Sequence, residues 1–314
     1  MARWNIFEGR NTMTINIIGC GLAGLLAANM LQRHQPIIHE AQPALPNNHS
    51  AVLRFGTEKV SEVLGIPFRK VKMIKTYLPW RNRVADCLAY SMKCTGIARS
   101  DRSITSDTFS ADRWIAPDDL VTQMANRIPT GKIRFESRLG DGIPDATLPI
   151  ISTIPMPMLM KILGYPNQPN FSYVDGENLR CKINHCDAFV SMYIPDPSHS
   201  FNRISITGNE LIAEYSMGSK VRPNDLEDIS KILGIHLQHF GTPEVKKQTY
   251  AKIAPIDDGE RKRFLAWATD QYNIYSLGRF ATWRPGLMLD DLVHDIRLIE
   301  RWATADKYNI RMHR

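Results

Sequence analysis

The stretch "TINIIGCGLAGLLAANMLQRHQPIIHE", residues 14–40, constrains the fold more than any other part of this 314-residue chain. It reads as a short buried strand (residues 14–18), a turn with Gly19, Gly21 and Gly24 in G-x-G-x-x-G spacing, and a buried helix (residues 22–33). A second strand follows, closed by Glu40. Gly19 permits the tight turn, Gly21 lets the backbone approach a pyrophosphate, and Gly24 lets the helix sit close to the sheet. The helix start, at Leu22 and Ala23, turns unpaired N–H groups toward phosphate. Glu40 is placed to accept hydrogen bonds from the ribose hydroxyls of an adenosine. The spacing alone is a weak signal; strand, helix, second strand and acid in register make it a dinucleotide-binding unit. A membrane span needs about 20 predominantly apolar residues, and here Gln32, Arg33 and His34 end a run already broken by glycines. A secretory signal fits no better, because its apolar part would contain the turn.

The fingerprint does not separate FAD from NAD. Flavoproteins of the glutathione-reductase type often begin with it, and their chain returns to the same domain at its end. "NIYSLGRFATWRPGLMLDDLVHDI" has the form of such a return: a short strand ending at Gly278, a loop with Arg279, Trp283 and Arg284, and a helix starting near Asp290. Between the two ends the pattern changes. Residues 117–127 read as a helix opened by Pro117, "KIRFES" and "TLPIISTIP" as strands, and "PMPMLMKILG" as a helix stopped by Gly164. From Cys186 the sequence alternates, and Gly208-Asn209 between alternating runs signals a β-hairpin. "NDLEDISKILG" reads as a helix, "EVKKQTYAKIAP" as a strand and "DGERKRFLAWATD" as a helix. Residues 68–92 carry strand-like stretches, and Thr57 can cap a helix running to Leu64.

The expected fold is α/β, with a Rossmann-like doubly wound FAD domain and a mixed, mainly antiparallel substrate domain. Residues 14–60, 107–160 and 268–314 are expected to form the first, residues 61–106 and 161–267 the second. Residues 1–13 read as an N-terminal extension, with Met13 a second candidate start.

Hydrophobic residues make up 43% of the chain, enough for a substantial core. Five scattered cysteines (20, 87, 94, 181, 186) and nine histidines show no metal-ligand spacing, so a reduced, cytoplasmic protein without metal is expected. The net charge of +7 gathers in Arg69-Lys70-Val71-Lys72, residues 81–83, Lys246-Lys247 and Arg261-Lys262-Arg263. Each cluster alone is an ordinary solvated face. Together they suit a polyanionic partner, because each phosphate contact releases counterions.

The fingerprint, "IISTIPMPML" and "YSLGRFATWRPGLMLDDLVHDI" together resemble flavoproteins related to UDP-galactopyranose mutases and amine oxidases. "HSAVLRFGTEKVSEVLGIPFRKV" and "KIAPIDDGERKRFLAWATDQYNIYSLGRFATWRPG" resemble most closely small phage-encoded FAD proteins, some of them from thymidine hypermodification pathways. That resemblance implies oxidation of glycine-modified thymidine in DNA at its C–N bond, leaving an aminomethyl base, with molecular oxygen as electron acceptor. It carries Gly19, Gly21, Gly24 and Glu40 to the adenosine and pyrophosphate site. Gly278 and Arg279 go to the second flavin segment, with Asp290 or Asp291 at the following helix start. "FATWRP" stands where the mutases have a tyrosine-rich ending, which argues against sugar-nucleotide chemistry. The rivals are a mutase-like isomerase and a non-catalytic nucleotide- or DNA-binding module.

Amine oxidation by flavin asks the protein mainly for position and exclusion of competing reactions, and a planar arginine fork is a natural clamp for a substrate carboxylate. Arg54 and Arg279 are candidates for that clamp or for cofactor contact. Trp283 could wall the flavin or stack a base, with core packing as the alternative, and Trp80 is a second candidate for stacking. Tyr215 could face the ring. His49 and Ser50 lie in a loop where a flavin hydrogen bond is expected.

Overall fold

A computed structural model describes residues 13–45, 53–99, 108–139, 142 and 147–305. His49, Ser50 and the extension before Met13 lie outside the described residues. β1 (Asn16–Ile18) runs through the glycine turn into α1 (Leu22–Met30) and on to β2 (Ile37–His39). β3 (Arg54–Phe55), α2 (Lys59–Leu64), β4 (Arg69–Tyr77), α3 (Arg83–Thr95) and β5 (Phe109–Ile115) follow. The chain then forms α4 (Leu120–Asn126), β6 (Ile133–Arg134), β7 (Ile150–Ser152) and α5 (Met156–Ile162). Next come β8 (Tyr173–Lys182), β9 (Ala188–Tyr193), β10 (Arg203–Gly208), β11 (Glu210–Tyr215), α6 (Asp225–Leu233) and β12 (Glu244–Ile253). α7 (Asp258–Tyr272), β13 (Ile274–Ser276) and α8 (Leu289–Thr304) complete the described chain.

Among the described residues these strands make two sheets. The smaller has the order β13-β7-β1-β2-β6, and all of its pairs are parallel. Its central strands are apolar on both faces because helices cover both, as a parallel sheet requires. Ile17, Ile151 and Leu277 pack with α1, α2, α4 and α8. Ile18, Ile150 and Ile274 face the other way, into a core with Met156, Leu159, Phe264 and Ala268 of α5 and α7. The returning strand β13 pairs with β7 through Tyr275 and Ile151, so both ends of the chain share one sheet.

The larger sheet has the order β12-β8-β11-β10-β9-β4-β5-β3 and is antiparallel except where β4 runs parallel to β9. Its hairpin turns at Gly208 and Asn209, pairing Thr207 with Glu210 as the alternation predicts. Successive side chains on a strand point to opposite faces. Leu179, Cys181, Ile204, Ile206, Leu211, Ala213 and Tyr215 share one face and form a core with Ile229 of α6. The other face sets polar residues (Lys75, Arg113, Ser191, Arg203, Ser205) among apolar ones (Val71, Met73, Ile212).

Three expectations change. Residues 68–92 are strand only as far as Tyr77; Arg83–Thr95 is a helix, started by Asn82, whose side-chain oxygen accepts from Ala85 N at 3.0 Å, and stopped by Gly96 at φ 71°. Buried Cys87, Tyr90, Ser91 and Cys94 mark its inner side, and Lys93 Nζ donates to the carbonyls of Ile194, Asp196 and Phe201 at 2.7–2.9 Å. Thr57 does not cap α2, which begins at Lys59; its hydroxyl is committed to Asp290 at 2.7 Å. Finally, Arg54–Phe55 and Phe109–Ile115, placed by sequence within segments 14–60 and 107–160 of the nucleotide domain, pair with each other in the larger sheet.

Gly24 sets how close α1 lies to β1: a Cβ there would overlap the Gly19 carbonyl oxygen, which is backbone and has nowhere to go. Gly24→Ala is therefore expected to destabilise the fold by about 1–3 kcal/mol, read as a lower denaturation midpoint with an unchanged slope.

Candidate functional site

The turn after β1 is built around two fixed hydrogen bonds. Gly19 N donates to His39 O at 2.8 Å, and Cys20 N donates to Glu40 Oε2 at 2.7 Å. Gly19 sits at φ 97°, where only glycine is comfortable, and a Cβ would meet the Thr153 hydroxyl. Gly21 is different. Its backbone is extended (φ −74°, ψ −176°), a conformation open to any residue, and a Cβ added there meets nothing within 4 Å. Glycine at this position keeps space clear beyond the protein's own atoms. α1 starts at that space with no side-chain cap and no acid in its first turn, so its first N–H groups and the positive end of its dipole face outward. Gly278, at φ 102°, brings the returning segment against Ala23, whose Cβ would lie 3.4 Å from a Cβ at position 278.

Glu40 has a further role beside the one expected of it. Its two oxygens accept from Cys20 N and from Gln42 N at 2.9 Å, fixing the turn. An ionised carboxylate offers about four acceptor positions, so about two remain open.

The returning segment is a tight turn in which Thr282 Oγ1 donates to Gly278 O at 2.7 Å and Arg284 N to Arg279 O at 3.0 Å. Arg279 is half-buried, its Nε is buried without a hydrogen-bond partner, and burial lowers its pKa. Asp290 is committed within the protein: its carboxylate accepts from Gly56 N (2.9 Å), Thr57 N (3.1 Å) and the Thr57 hydroxyl. Asp291 accepts from Met288 N at 2.9 Å. The first acid therefore ties the start of α8 to the end of β3, and the second closes the helix's own first turn.

Trp283 is 1% exposed, its indole N–H donates to Ala254 O at 2.8 Å, and Phe171 and Tyr250 meet its ring edge-on. It is core and cannot stack a base. Tyr215 lies on the α6 side of the large sheet beside Asp225, where burial, then the Asp225 carboxylate, raise its pKa. It faces away from the polar side.

That polar side carries what the sequence reading missed. Arg54 and Arg113 lie on it because Arg54 pairs with Ile115, two residues along the same strand. Val71 pairs with Arg113, which puts Met73 and Lys75 on the same face; Lys75 pairs with Ser191, Ser191 with Ser205, and Arg203 with Tyr193. Arg54 Nη1 reaches Met73 Sδ at 3.3 Å. Burial, then the charge of Arg203, lower the Arg54 pKa to about 10; burial, then Arg113, Arg203 and Arg54, lower that of Lys75. The carboxylate nearest these groups, Glu214, is bonded to Arg203 and stands 4.0 Å from Lys252. Lys252 also lines a cleft of about 690 Å³ between the end of α3 (Ser91, Thr95), the start of β8 and the loop at Pro285-Gly286. That cleft meets the returning segment at Pro285-Gly286, and Lys252 stands between it and Glu214. Basic residues at alternate positions of strands were the available signal; which strands lie side by side was not.

The expected charge clusters are partly neutralised. Arg69 pairs with Asp187 and Lys70 with Asp112, and the two residues point to opposite faces of β4. Arg261 and Lys262 both pair with Asp258. Trp80 is 36% exposed with Arg81 at 4.6 Å from its ring centre. Among the described residues no three His, Cys, Asp or Glu side chains are grouped to hold a metal, and no helix is long and apolar enough to cross a membrane.

No protein-family model and no curated protein matches the chain. Solved structures do. Reduced UDP-galactopyranose mutase is similar at TM-score 0.66 and 13% identity, over 94% of this chain and 96% of that one. An oxidoreductase from Methanosarcina mazei is similar at 0.56 and 9%, over 92% and 100%. 2-Methyl-3-hydroxypyridine-5-carboxylic acid oxygenase is similar at 0.51 and 14%, over 93% and 87%. The chain has the fold of a flavin-dependent oxidoreductase.

The Asp290 carboxylate is the described link between the start of α8 and the edge strand of the large sheet. Asp290→Ala leaves two backbone N–H groups and a hydroxyl without their acceptor and is expected to cost about 1–3 kcal/mol. Hydrogen exchange should show faster exchange at Gly56 and Thr57 while α3 stays protected.

Proposed function

We propose that the chain is an FAD-dependent oxidoreductase that oxidises an amine at its C–N bond, acting on glycine-modified thymidine in phage DNA to leave the aminomethyl base. The observation that carries the cofactor reading is the uncapped start of α1 beside the open space at Gly21, faced by Gly278. The N–H groups of Leu22 and Ala23 would hold the pyrophosphate, the spare lone pairs of Glu40 the ribose, and the unpartnered Nε of Arg279 an oxygen of the cofactor or substrate. FAD, when bound, supplies a two-electron acceptor, which molecular oxygen re-oxidises. The chain's own part is to hold the amine still, for which the cleft lined by Lys252, Pro285 and Gly286 is suited. Loss of a hydride and a proton from the amine leaves an imine, and one water hydrolyses it to glyoxylate and the aminomethyl base. A DNA base would have to be extruded to reach it, at a cost of a few kcal/mol that stacking offsets. Of the two tryptophans considered for stacking, Trp80 is exposed and Trp283 is not. A second reading, flavin-dependent isomerisation of a nucleotide sugar, is favoured by the likeness to the mutase over 94% of the chain.

Two measurements test this. The purified protein should take up FAD noncovalently. Gly21→Val should fold with an unchanged denaturation midpoint, since its Cβ meets no protein atom, yet lose FAD binding by at least about tenfold by blocking the phosphates. An FAD-free wild type that gains no flavin absorbance on mixing sinks the cofactor reading. With DNA carrying glycine-modified thymidine, the FAD-loaded protein should consume oxygen and release peroxide. If it instead isomerises a UDP-sugar after chemical reduction, with no turnover of DNA, the mutase reading replaces this one.

A further inference from the structure

The polar face of the large sheet is assembled against an ordinary electrostatic preference. β3, β4, β5 and β10 each place a cation on it (Arg54, Lys75, Arg113 and Arg203), all half-buried. Like charges withdrawn from water repel each other strongly, and proteins normally intersperse acids among them. Here the acids are already engaged: Glu210 with Arg180, Asp187 with Arg69, and Glu214 with Arg203, with Lys252 next nearest to it. Arg54, Lys75 and Arg113 have no carboxylate within 4.0 Å among the described residues, while exposed Arg69 and Lys70 on the same strand do. Arg54 spends one N–H on a thioether sulfur, Arg113 one on its neighbour's carbonyl, and the buried Nε of Arg203 has no partner at all. Arg54 reaches Met73, which lies on its strand between Lys75 and Val71, the partner of Arg113, so the three cations share one stretch of the face.

We propose that Arg54, Lys75 and Arg113, with Arg203 held in place by Glu214, form a binding site for an oxyanion of the substrate, a carboxylate or a phosphate group. The site deepens the oxidoreductase reading and rests on it for which molecule carries the anion, not for the anion itself. Arg203 and Glu214 are positioning residues: the ion pair aligns the guanidinium and uses up the acid that would otherwise neutralise the neighbours. Arg54 supplies a planar fork suited to two oxygens at once, and Lys75 a compact charge beside it. Such a site discriminates between substrates by charge before any chemistry occurs, because a neutral amine leaves the repulsion unrelieved.

The test uses the full chain, with and without added FAD, titrated by calorimetry with acetate and with inorganic phosphate at constant ionic strength, chloride serving as the control anion. One saturable oxyanion per chain is expected, with a matching rise in Tm. Lys75→Met and Arg113→Gln should each weaken binding by about tenfold or more and abolish the anion-dependent rise in Tm. Lys161→Gln, exposed in the last turn of α5, should change neither. Tighter acetate binding assigns the site to a substrate carboxylate, tighter phosphate binding to a nucleotide phosphate. Absence of saturable binding, or binding that both variants leave intact, overturns the proposal. Flavin absorbance read on the same samples keeps the two questions apart: oxyanion binding without FAD uptake retains the site and removes the oxidoreductase reading, and FAD uptake without oxyanion binding does the reverse.

Discussion

The approach of α1 to the end of β1 is the contact on which the nucleotide half depends. Gly24 lets the helix backbone come within reach of the Gly19 carbonyl, and Gly19 takes a backbone conformation that other residues avoid. With the helix that close, its N-terminus lies directly beyond the strand, where Gly278 meets Ala23 from the returning segment. A looser packing would move the helix dipole off the open space at Gly21 and separate α1 from the returning segment. Glu40 stiffens the same turn from the second strand, so the geometry is held from three sides by short-range bonds.

The large sheet divides its two faces by chemistry. One is apolar and sealed by α6, with Tyr215 and Leu211 among its buried residues. The opposite face carries cations and hydroxyls (Lys75, Ser191, Arg203, Ser205) that a free-standing domain would leave to water. α3 reaches that face at one end, where Tyr90 meets Tyr193 edge-on. Part of the polar surface is thereby taken out of solvent, which strengthens every charge on it relative to an open surface.

Much of the fold was legible in the sequence wherever the determinants are local. The turn at residues 19–24, the hairpin at Gly208-Asn209 and the helix ending at Gly234 each declare themselves within about a dozen residues, because backbone conformation and capping are short-range. α3 was hidden because its inner residues (Cys87, Tyr90, Ser91, Cys94) are small or polar enough to blur the period, and because aromatic and basic neighbours before it look strand-like. The site was harder. Which face a strand residue takes depends on register with strands far away in sequence, so Tyr215 could not be told from Glu214, although one is core and the other faces the cations. Asp290 and Trp283 illustrate a different limit. Their residue types suit a site, but their partners, Thr57 and Ala254, lie 233 and 29 positions away.

The placement of β13 has a bearing on how the molecule is made. This strand lies beside β7 in the parallel sheet, and α8 after it covers α1 and α2. A chain emerging from the ribosome N-terminus first therefore presents its opening strand, turn and helix long before the elements that shelter them exist. The large sheet, whose strands are complete by Ile253, can pair earlier. Closure of the nucleotide half is thus a late event spanning nearly the full sequence, the kind of long-range pairing that folds slowly and exposes apolar surface while it waits. Leu25, Leu26 and Ile17 lack the cover of Leu277, Leu292, Val293 and Ile296 until synthesis is nearly complete, and a chaperone that recognises short apolar segments would find them there.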